Sequence, residues 1–168
     1  MGVPLGIDAA LRQVAEWRAA GRRIVLANGC FDVLHVGHVR YLEAARALGD
    51  ALVVAINSDA SVRRLKGRGR PIMAEDERAE LVASLRAVDL VVIFADDTVD
   101  ALVGRLRPDV QAKGTDYTEA TVPERAAVLA AGGRVAIAGD AKTHSTRDVI
   151  ETIVRRFAPG GTDGTPGR

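Results

Sequence analysis

The chain alternates short apolar runs with longer segments in which apolar residues recur at helical spacing. The short runs are rich in β-branched residues and nearly continuous in apolar character, as expected of strands that are buried on both faces of a sheet. Five such runs occur: Arg23–Asn28, Ala51–Asn57, Asp89–Phe94, Asp109–Lys113 and Arg134–Ala138. They predict the strands of a mostly parallel sheet.

Seven amphipathic segments lie before, between and after these runs. The predicted helices are Ile7–Ala20, Gly37–Leu48, Ser58–Leu65, Ala74–Arg86, Thr98–Arg107, Val122–Ala131 and Thr146–Phe157. Asp8 and Ser58 stand where N-caps are expected, Gly21 and Gly49 follow two helices, and Pro108 closes another. Strands that alternate with crossover helices predict an α/β fold, a Rossmann-like, doubly wound, five-stranded sheet with helices on both faces. Such a sheet binds its ligand at the carboxyl ends of the strands, near the point where strand order reverses.

The length of 168 residues favours a single domain, which we expect to cover residues 1–157. Residues 158–168 are rich in glycine and proline and have no apolar anchor. That composition predicts a disordered tail.

Charge and cysteine content narrow the class of ligand. Lys and Arg number 23 and Asp and Glu number 22, so the formal charge of +1 indicates a small ligand and neither a nucleic acid nor a membrane. The single cysteine, Cys30, excludes an internal disulfide and a multi-cysteine metal site, and we expect a small buried group there, not a nucleophile. The chain has no secretion or lipidation signal and no apolar run near the ~18 residues that span a bilayer. We therefore expect a cytoplasmic protein.

Two histidines follow the first strand at the start of a helix, in the segment NGCFDVLHVGH at 28–38. Unpaired backbone N–H groups at a helix N-terminus bind anions, and the imidazoles of His35 and His38 add donors for the same phosphate. Gly37 between them leaves room for close approach. The alternative is that both histidines only cap or pack the helix. Their position at a strand-to-helix junction favours phosphate binding.

The segment is similar to the signature of the cytidylyltransferase-like nucleotidyltransferases, in which the HxGH motif stabilises the transition state at the α-phosphate. Further stretches extend the likeness over about residues 20–155: NGCFDVLHVGHVRY at 28–41, AINSDASVRRLK at 55–66, Arg70–Pro71, KGTDY at 113–117 and Ser145–Thr146. Together they resemble the adenylyltransferase domain of the bacterial heptose 1-phosphate adenylyltransferases. The resemblance implies transfer of AMP from ATP to D-glycero-β-D-manno-heptose 1-phosphate, giving ADP-heptose and pyrophosphate for lipopolysaccharide core biosynthesis.

The resemblance also implies roles for individual residues. The residues expected to be catalytic are His35, His38 and Lys66. The residues expected to bind the nucleotide are Gly29, Cys30, Phe31, Gly37, Lys113, Gly114, Asp116, Ser145, Thr146 and Arg147. Arg78 is expected to bind the phosphate of the sugar phosphate. Asp32, Asn57 and Asp59 follow the first two strands, and we expect them to bind the sugar phosphate or to orient the histidines or a metal.

Several of these residues have a purely structural interpretation as well. Lys66 stands in a run of basic residues that also fits a solvated loop. Arg78 fits a surface ion pair with Glu75 or Glu77. Ser145–Thr146 stands at the start of the last helix, where either hydroxyl fits an N-cap with no ligand involved.

The implied reaction needs no general base, because the second pKa of a phosphate monoester is ~6 and its oxygen is ionised near neutral pH. Mg²⁺ is expected as a cofactor that is bound mainly through the nucleotide phosphates, with no dedicated metal site in the protein. Relatives often carry a sugar kinase in front of this domain, whereas only a short helical segment precedes the first strand here. We therefore expect a separate heptose 7-phosphate kinase as the pathway partner, and a homodimer.

Two other functions fit the same sequence. One is a cytidylyltransferase that acts on glycerol 3-phosphate or a related alcohol phosphate, and the other is a nucleotide-binding module without turnover. The first strand is not followed by GxGxxG, and the chain contains no GxxxxGK[ST]. A dinucleotide-dependent dehydrogenase and a P-loop NTPase are therefore disfavoured.

Overall fold

A single parallel sheet organises the protein, whose computed structural model describes residues 2–141 and 144–158. The strands are β1 (Val3–Pro4), β2 (Ile24–Gly29), β3 (Ala51–Asn57), β4 (Leu90–Phe94), β5 (Val110–Lys113) and β6 (Arg134–Ile137). Their order is β1-β4-β3-β2-β5-β6, so the chain winds from β2 to one side and then returns to build the other. The predicted parallel, doubly wound sheet is confirmed, with six strands in place of five.

In the part of the chain that the structure describes, seven helices connect and cover the strands. They are α1 (Ile7–Ala19), α2 (Val36–Arg46), α3 (Asp59–Lys66), α4 (Glu75–Ala83), α5 (Asp100–Leu106), α6 (Arg125–Ala130) and α7 (Thr146–Phe157). Each corresponds to a predicted helix, and the largest differences in their ends are at the end of α4 and the start of α6. The Ser58 cap is confirmed, because its Oγ accepts the N–H of Ser61 at 3.2 Å. The Asp8 cap is wrong: α1 begins after Gly6, and the Asp8 carboxylate instead pairs with Arg105 at 2.6 Å.

The sixth strand, β1, is the element that the hydrophobic pattern misses. It is only two residues long and pairs with β4 through Val3 opposite Leu90 and Pro4 opposite Val91. Immediately after it, the N–H of Leu5 donates to the carbonyl oxygen of Val91 at 2.9 Å. A strand of this length gives no periodic signal, and its proline argues against a strand assignment except at a sheet edge, where β1 lies.

Two apolar layers sandwich the sheet, as helices on both faces require. One layer joins Leu26 and Val53 to the buried residues of α1, α5 and α6. The other joins Val25 and Leu52 to those of α2 and α4. Consecutive strand residues thus enter opposite layers, which is why the strands are continuously apolar in sequence.

The last helix, α7, differs from the others because none of its twelve residues is buried against the described part of the chain. The predicted disordered tail at 158–168 lies outside the described residues from position 159 onward. Among the described residues, no helix is both long and apolar enough to cross a membrane.

Candidate active site

A cleft of about 1050 Å³ opens at the carboxyl ends of the strands, where β2 stands between β3 and β5. It is the position that the doubly wound topology predicts for a ligand, because strand order reverses there. The walls come from the β2–α2 loop, the end of α3, the loop after β5 and the start of α7. Each predicted motif therefore reaches the same cleft from a different part of the chain.

The histidine pair lies at the start of α2. His35 is the N-cap residue, with extended backbone, and His38 follows in the first turn. Their rings stack with centroids 3.9 Å apart, and both line the cleft. An anion in front of them would meet two imidazoles together with the N-terminal N–H groups of an eleven-residue helix.

His38 is held as a neutral imidazole. Burial, followed by the neighbouring charge of His35, lowers the pKa of His38 to about 4. The backbone N–H of His35 points at His38 Nδ1 at 3.4 Å, so Nδ1 acts as the acceptor. The proton of the neutral ring is then on Nε2, which we assign from this hydrogen bond. His38 thus offers one N–H donor without carrying a charge.

Gly37 is required by the ring of His35. A Cβ at position 37 would lie 3.0 Å from His35 Cε1 and Nδ1, closer than ordinary contact. It would also lie 3.5 Å from His144 Cβ. The glycine of the HxGH motif therefore lets the first imidazole fold back over the helix start.

The loop that leads to the histidines has an unusual backbone. Phe31 and Val33 have positive φ angles of 49° and 55°, a left-handed conformation that residues other than glycine rarely adopt. The Phe31 ring packs 5.2 Å from His38 and 6.5 Å from Tyr41, measured between centroids. Aromatic packing of Phe31 accompanies this strained backbone and positions the ring of His38.

Asp32 is buried and fastens the loop to two distant segments. Its carboxylate accepts hydrogen bonds from Arg70 Nε at 2.5 Å and from the N–H groups of Ile72 and Met73 at 3.0 Å. Burial raises its pKa, but these donors outweigh it and hold the pKa below the ordinary 3.8. The Asp32 carbonyl oxygen accepts the hydroxyl proton of Thr146 at 2.7 Å. Asp32 was predicted to bind substrate; the structure shows its carboxylate already engaged with protein groups.

Arg78 does not reach the cleft, which corrects its predicted role as a reader of the substrate phosphate. The side chain is fully buried, and it donates to Cys30 O, Met73 O and Asp59 Oδ1 at 2.5, 3.1 and 2.7 Å. Asp59, also predicted to bind substrate, is its ion-pair partner and does not line the cleft. The alternative pairing of Arg78 with Glu75 or Glu77 is wrong as well. Arg78 and Asp59 therefore stabilise the segments next to the cleft without lining it.

Lys113, at the end of β5, is buried in the cleft wall. Its Nζ donates to Asn28 Oδ1 at 2.8 Å, forms an ion pair with Glu124 at 2.5 Å and lies 5.3 Å from the centre of the Tyr117 ring. The same Asn28 oxygen accepts from Gln111 at 2.9 Å. Neither contact could be predicted from sequence, because Asn28 lies at the end of another strand and Glu124 comes after the loop that follows Lys113.

Lys66 and the start of α7 form the opposite rim. Lys66 is an exposed cation at the end of α3. Ser145 caps α7, with its Oγ accepting the N–H of Asp148 at 3.1 Å, and Arg147 is exposed beside it. In the structure the Ser145 hydroxyl caps α7, whereas the Thr146 hydroxyl donates to the Asp32 carbonyl oxygen and caps nothing.

Cys30 is a partly buried thiol on the cleft wall. Burial, its largest influence, raises the pKa of the thiol above the ordinary value. The Sγ of Cys30 donates a weak hydrogen bond to Asn57 Oδ1, 3.9 Å away. A thiol with a raised pKa is a poor nucleophile, in keeping with the expectation of a small packing group.

Fifteen of the seventeen predicted site residues line the cleft, and the exceptions are Asp59 and Arg78. The structure adds several groups that sequence reasoning did not assign: Asn28, Arg40, Tyr41, Asp97, Glu124, Asp140 and His144. Among the described residues, no group of three or more His, Cys, Asp or Glu side chains is arranged to hold a metal ion.

Comparison with known proteins gives a consistent result. Residues 26–155 match the cytidylyltransferase-like family. The bifunctional protein HldE of Syntrophotalea carbinolica is 50% identical over 151 residues, which cover 89% of this chain and 31% of that protein. HldE of Pseudomonas aeruginosa is 49% identical over 90% of this chain and 32% of its own length. The chain thus spans about a third of these relatives. A lipopolysaccharide core biosynthesis protein from Thermoplasma volcanium has a similar structure, with a TM-score of 0.63 and 28% identity over 73% of this chain and all of that one.

Proposed function

We propose that this chain, which belongs to the cytidylyltransferase-like family of nucleotidyltransferases, transfers AMP from ATP to D-glycero-β-D-manno-heptose 1-phosphate. The products are ADP-heptose and pyrophosphate, for lipopolysaccharide core biosynthesis. The acceptor is proposed from the HldE relatives, which this chain matches at about 50% identity over part of their length.

The observation that carries the proposal is the stacked His35–His38 pair at the N-terminus of α2, open to the cleft. Phosphoryl-type transfer between two polyanions needs donors where negative charge builds up, and it needs little covalent chemistry. A neutral His38 with its proton on Nε2 supplies such a donor. Because the His38 ring is neutral, it adds no positive charge. Such a charge would attract the anionic substrate as strongly as the transition state and would not raise kcat.

The remaining residues position the reactants. The sugar-phosphate oxygen attacks the α-phosphorus, the bond from that phosphorus to the bridging oxygen breaks, and pyrophosphate leaves with the electron pair. Lys66 and Arg147, both exposed cations on the cleft rim, would bind the phosphates that leave. Holding the two reactants in line supplies the rest of the rate enhancement.

We propose that Mg²⁺ enters on the phosphate oxygens of ATP. Mg²⁺ keeps several waters and uses few protein ligands at such sites. Bound there, it would neutralise part of the charge on the nucleotide. A separate heptose 7-phosphate kinase would act upstream by adding the phosphate at C1, and hydrolysis of the 7-phosphate must follow before the heptose 1-phosphate reaches the cleft.

The test is a pyrophosphate-release screen that crosses ATP, CTP and GTP with heptose 1-phosphate and glycerol 3-phosphate. We expect the highest kcat/KM for ATP with heptose 1-phosphate. A preference for CTP with glycerol 3-phosphate would replace the proposal with the cytidylyltransferase alternative. Nucleotide binding without pyrophosphate release for any pair would indicate a module without turnover.

A further inference from the structure

Asn28, near the carboxyl end of β2, has a side-chain amide whose orientation is fixed by two donors. Its Oδ1 accepts a hydrogen bond from Gln111 Nε2 at 2.9 Å and another from Lys113 Nζ at 2.8 Å. An ammonium group can only donate, so the amide atom that faces Lys113 is the oxygen and not the nitrogen. The Asn28 Nδ2 therefore lies on the other side of the amide, away from both donors.

That nitrogen is open to the cleft. It makes no hydrogen bond within the described part of the chain, and it is not one of the side-chain atoms that are buried without a partner. Asn28 itself lines the cleft. An amide nitrogen carries two N–H donors. The cleft thus receives a neutral donor group that contacts with two other side chains hold in place.

The lysine that orients this amide brings no net charge to the cleft wall. Lys113 forms an ion pair with Glu124 at 2.5 Å, and the two side chains are only 10% and 4% exposed. Opposite charges in contact largely cancel at a distance, so the pair offers a phosphate little attraction. The wall around Asn28 is therefore polar but uncharged overall.

Asn28 lies on the face of the sheet opposite to the helix that carries the histidine pair. Side chains alternate along a strand, so Asn28 shares its face with Leu26, which packs in the layer formed with α1, α5 and α6. Helix α2, which begins at the histidine pair, packs in the layer on the other face. A ligand whose phosphate meets the histidines can therefore extend an uncharged part across the sheet edge to Asn28.

We propose that Asn28 is a substrate-contacting residue that donates through Nδ2 to a hydroxyl oxygen of a sugar, and that Lys113 is the positioning residue that keeps the amide from turning. The inference rests on the proposed function, in which each substrate has a sugar bonded directly to a reacting phosphate. These sugars are the ribose of ATP and the acceptor heptose. A fixed neutral donor suits an uncharged oxygen, whereas a phosphate is bound better by a cation.

The first experiment compares Asn28→Ala with the parent on complete and deoxygenated ligands. Isothermal titration calorimetry gives the Kd of ATP, 2′-deoxy-ATP and 3′-deoxy-ATP, and the Kd of heptose 1-phosphate and its singly deoxygenated analogues. In the parent, removal of the contacted hydroxyl should weaken binding about 3- to 10-fold, as expected for one uncharged hydrogen bond. In Asn28→Ala the same removal should change the Kd by less than about 1.5-fold, because the contact is already lost.

The ligand for which this discrimination is lost identifies the sugar. Loss for 2′- or 3′-deoxy-ATP assigns the contact to ribose, and loss for a heptose analogue assigns it to the acceptor. A general disturbance of the cleft by the substitution does not produce this result, because it would weaken the complete and the deoxygenated ligand alike.

Gln111→Leu is the matched control for the internal hydrogen bonds. Gln111 is fully buried, its Oε1 has no partner among the described residues, and it does not line the cleft. The substitution removes one donor to Asn28 Oδ1, but Lys113 still fixes the amide. The variant should therefore discriminate between complete and deoxygenated ligands as the parent does.

The positioning role of Lys113 is tested by Lys113→Met combined with Glu124→Gln, so that no buried charge is left unpaired. Without the lysine, the amides of Asn28 and Gln111 can reverse together, which keeps the bond between them but turns Nδ2 inward. The discrimination should therefore decrease although Asn28 is unchanged. Full discrimination in this folded double variant would overturn the role of Lys113.

An Asn28→Ala protein that discriminates as the parent does for every ligand would overturn the proposal, because Asn28 would then serve only as an acceptor between β2 and β5. Should this variant not fold, Asn28→Asp takes its place, since it keeps an acceptor for Gln111 and Lys113 and lacks the donor. An unaltered discrimination there would overturn the proposal equally. The ATP titrations need no turnover, so they test Asn28 even if the chain transfers no AMP.

Discussion

The carboxylate of Asp32 accepts a hydrogen bond from Arg70 across 38 residues of sequence, at 2.5 Å. Asp32 lies in the histidine loop, and Arg70 lies just after the basic segment that contains Lys66. One buried carboxylate therefore ties the histidine loop to the segment that follows Lys66.

Asp32→Asn should lower kcat while the protein remains folded. The amide keeps one acceptor for the N–H groups of Ile72 and Met73 but loses the charged bond to Arg70, so the rim can shift. A displacement of about 1 Å costs up to about 100-fold in rate. Steady-state kinetics with thermal melts would check this, and Asp50→Asn, an exposed acidic residue, is the control. Unchanged kcat in a folded Asp32→Asn protein would show that the bond positions nothing of importance.

His38→Ala should lower kcat about 10²–10³-fold with a much smaller effect on KM, because its proposed contact is with charge that develops in the transition state. His35→Ala should behave similarly. The double variant should lose less than the product of the two, since both rings act on one phosphate. If both single variants stay active but melt at clearly lower temperatures, the histidines are only structural caps.

Stability should depend on pH through His38. Its pKa falls from 6.5 to about 4 on folding, so the unfolded chain takes up the proton first as the pH decreases. The unfolding free energy should therefore decrease between about pH 6.5 and pH 4, and the His38 contribution should be constant above that window. Denaturant unfolding at several pH values, for the parent and His38→Gln, measures the difference. An identical pH slope in the two proteins would show that His38 is not held neutral.

Gly37→Ala should separate activity from stability. The added Cβ would press on the His35 ring at 3.0 Å and shift it by a few tenths of an ångström, for an expected loss of about tenfold in kcat. Gly104→Ala in α5 is the matched control, because a Cβ there meets nothing within 4 Å. That control should gain about 0.5–1 kcal/mol of stability and keep full activity. Full activity in Gly37→Ala would mean that the stacked histidine geometry does not matter.

Arg78→Ala should destabilise the fold by about 3–5 kcal/mol, because it leaves Asp59 and two carbonyl oxygens without their buried partner. Denaturant midpoints would show it, with Arg86→Ala on the surface as control. Arg78→Lys gives the decisive comparison. If it unfolds normally but raises KM for the sugar phosphate many-fold, Arg78 contacts substrate after all and its structural assignment is wrong.

The fold was predictable because its signals are local and repeated. Continuous apolar strands and amphipathic helices fix a parallel sheet with two covered faces, and only the two-residue β1 escaped. The HxGH segment was predictable for the same reason, since a strand, a loop and a helix start are contiguous in sequence. These features depend on short-range patterns.

The partners of the polar site residues could not be predicted. Arg78 looked like an exposed helix residue, yet it is buried against Cys30 and Asp59 from two other segments. Lys113 likewise finds Asn28 and Glu124 only after the sheet has formed. A charge in a sequence does not specify whether it faces ligand or an internal partner, because long-range packing decides that.

The proline in β1 has a consequence for how the protein behaves at high concentration. Since the N–H of Leu5 points inward to β4, alternation along the strand directs the nitrogen of Pro4 to the open side of the sheet. That nitrogen carries no hydrogen. A strand from another molecule that paired with the outer edge of β1 would therefore find carbonyl acceptors there but no N–H donor at Pro4. The sheet is thereby protected on this side against lateral growth into aggregates.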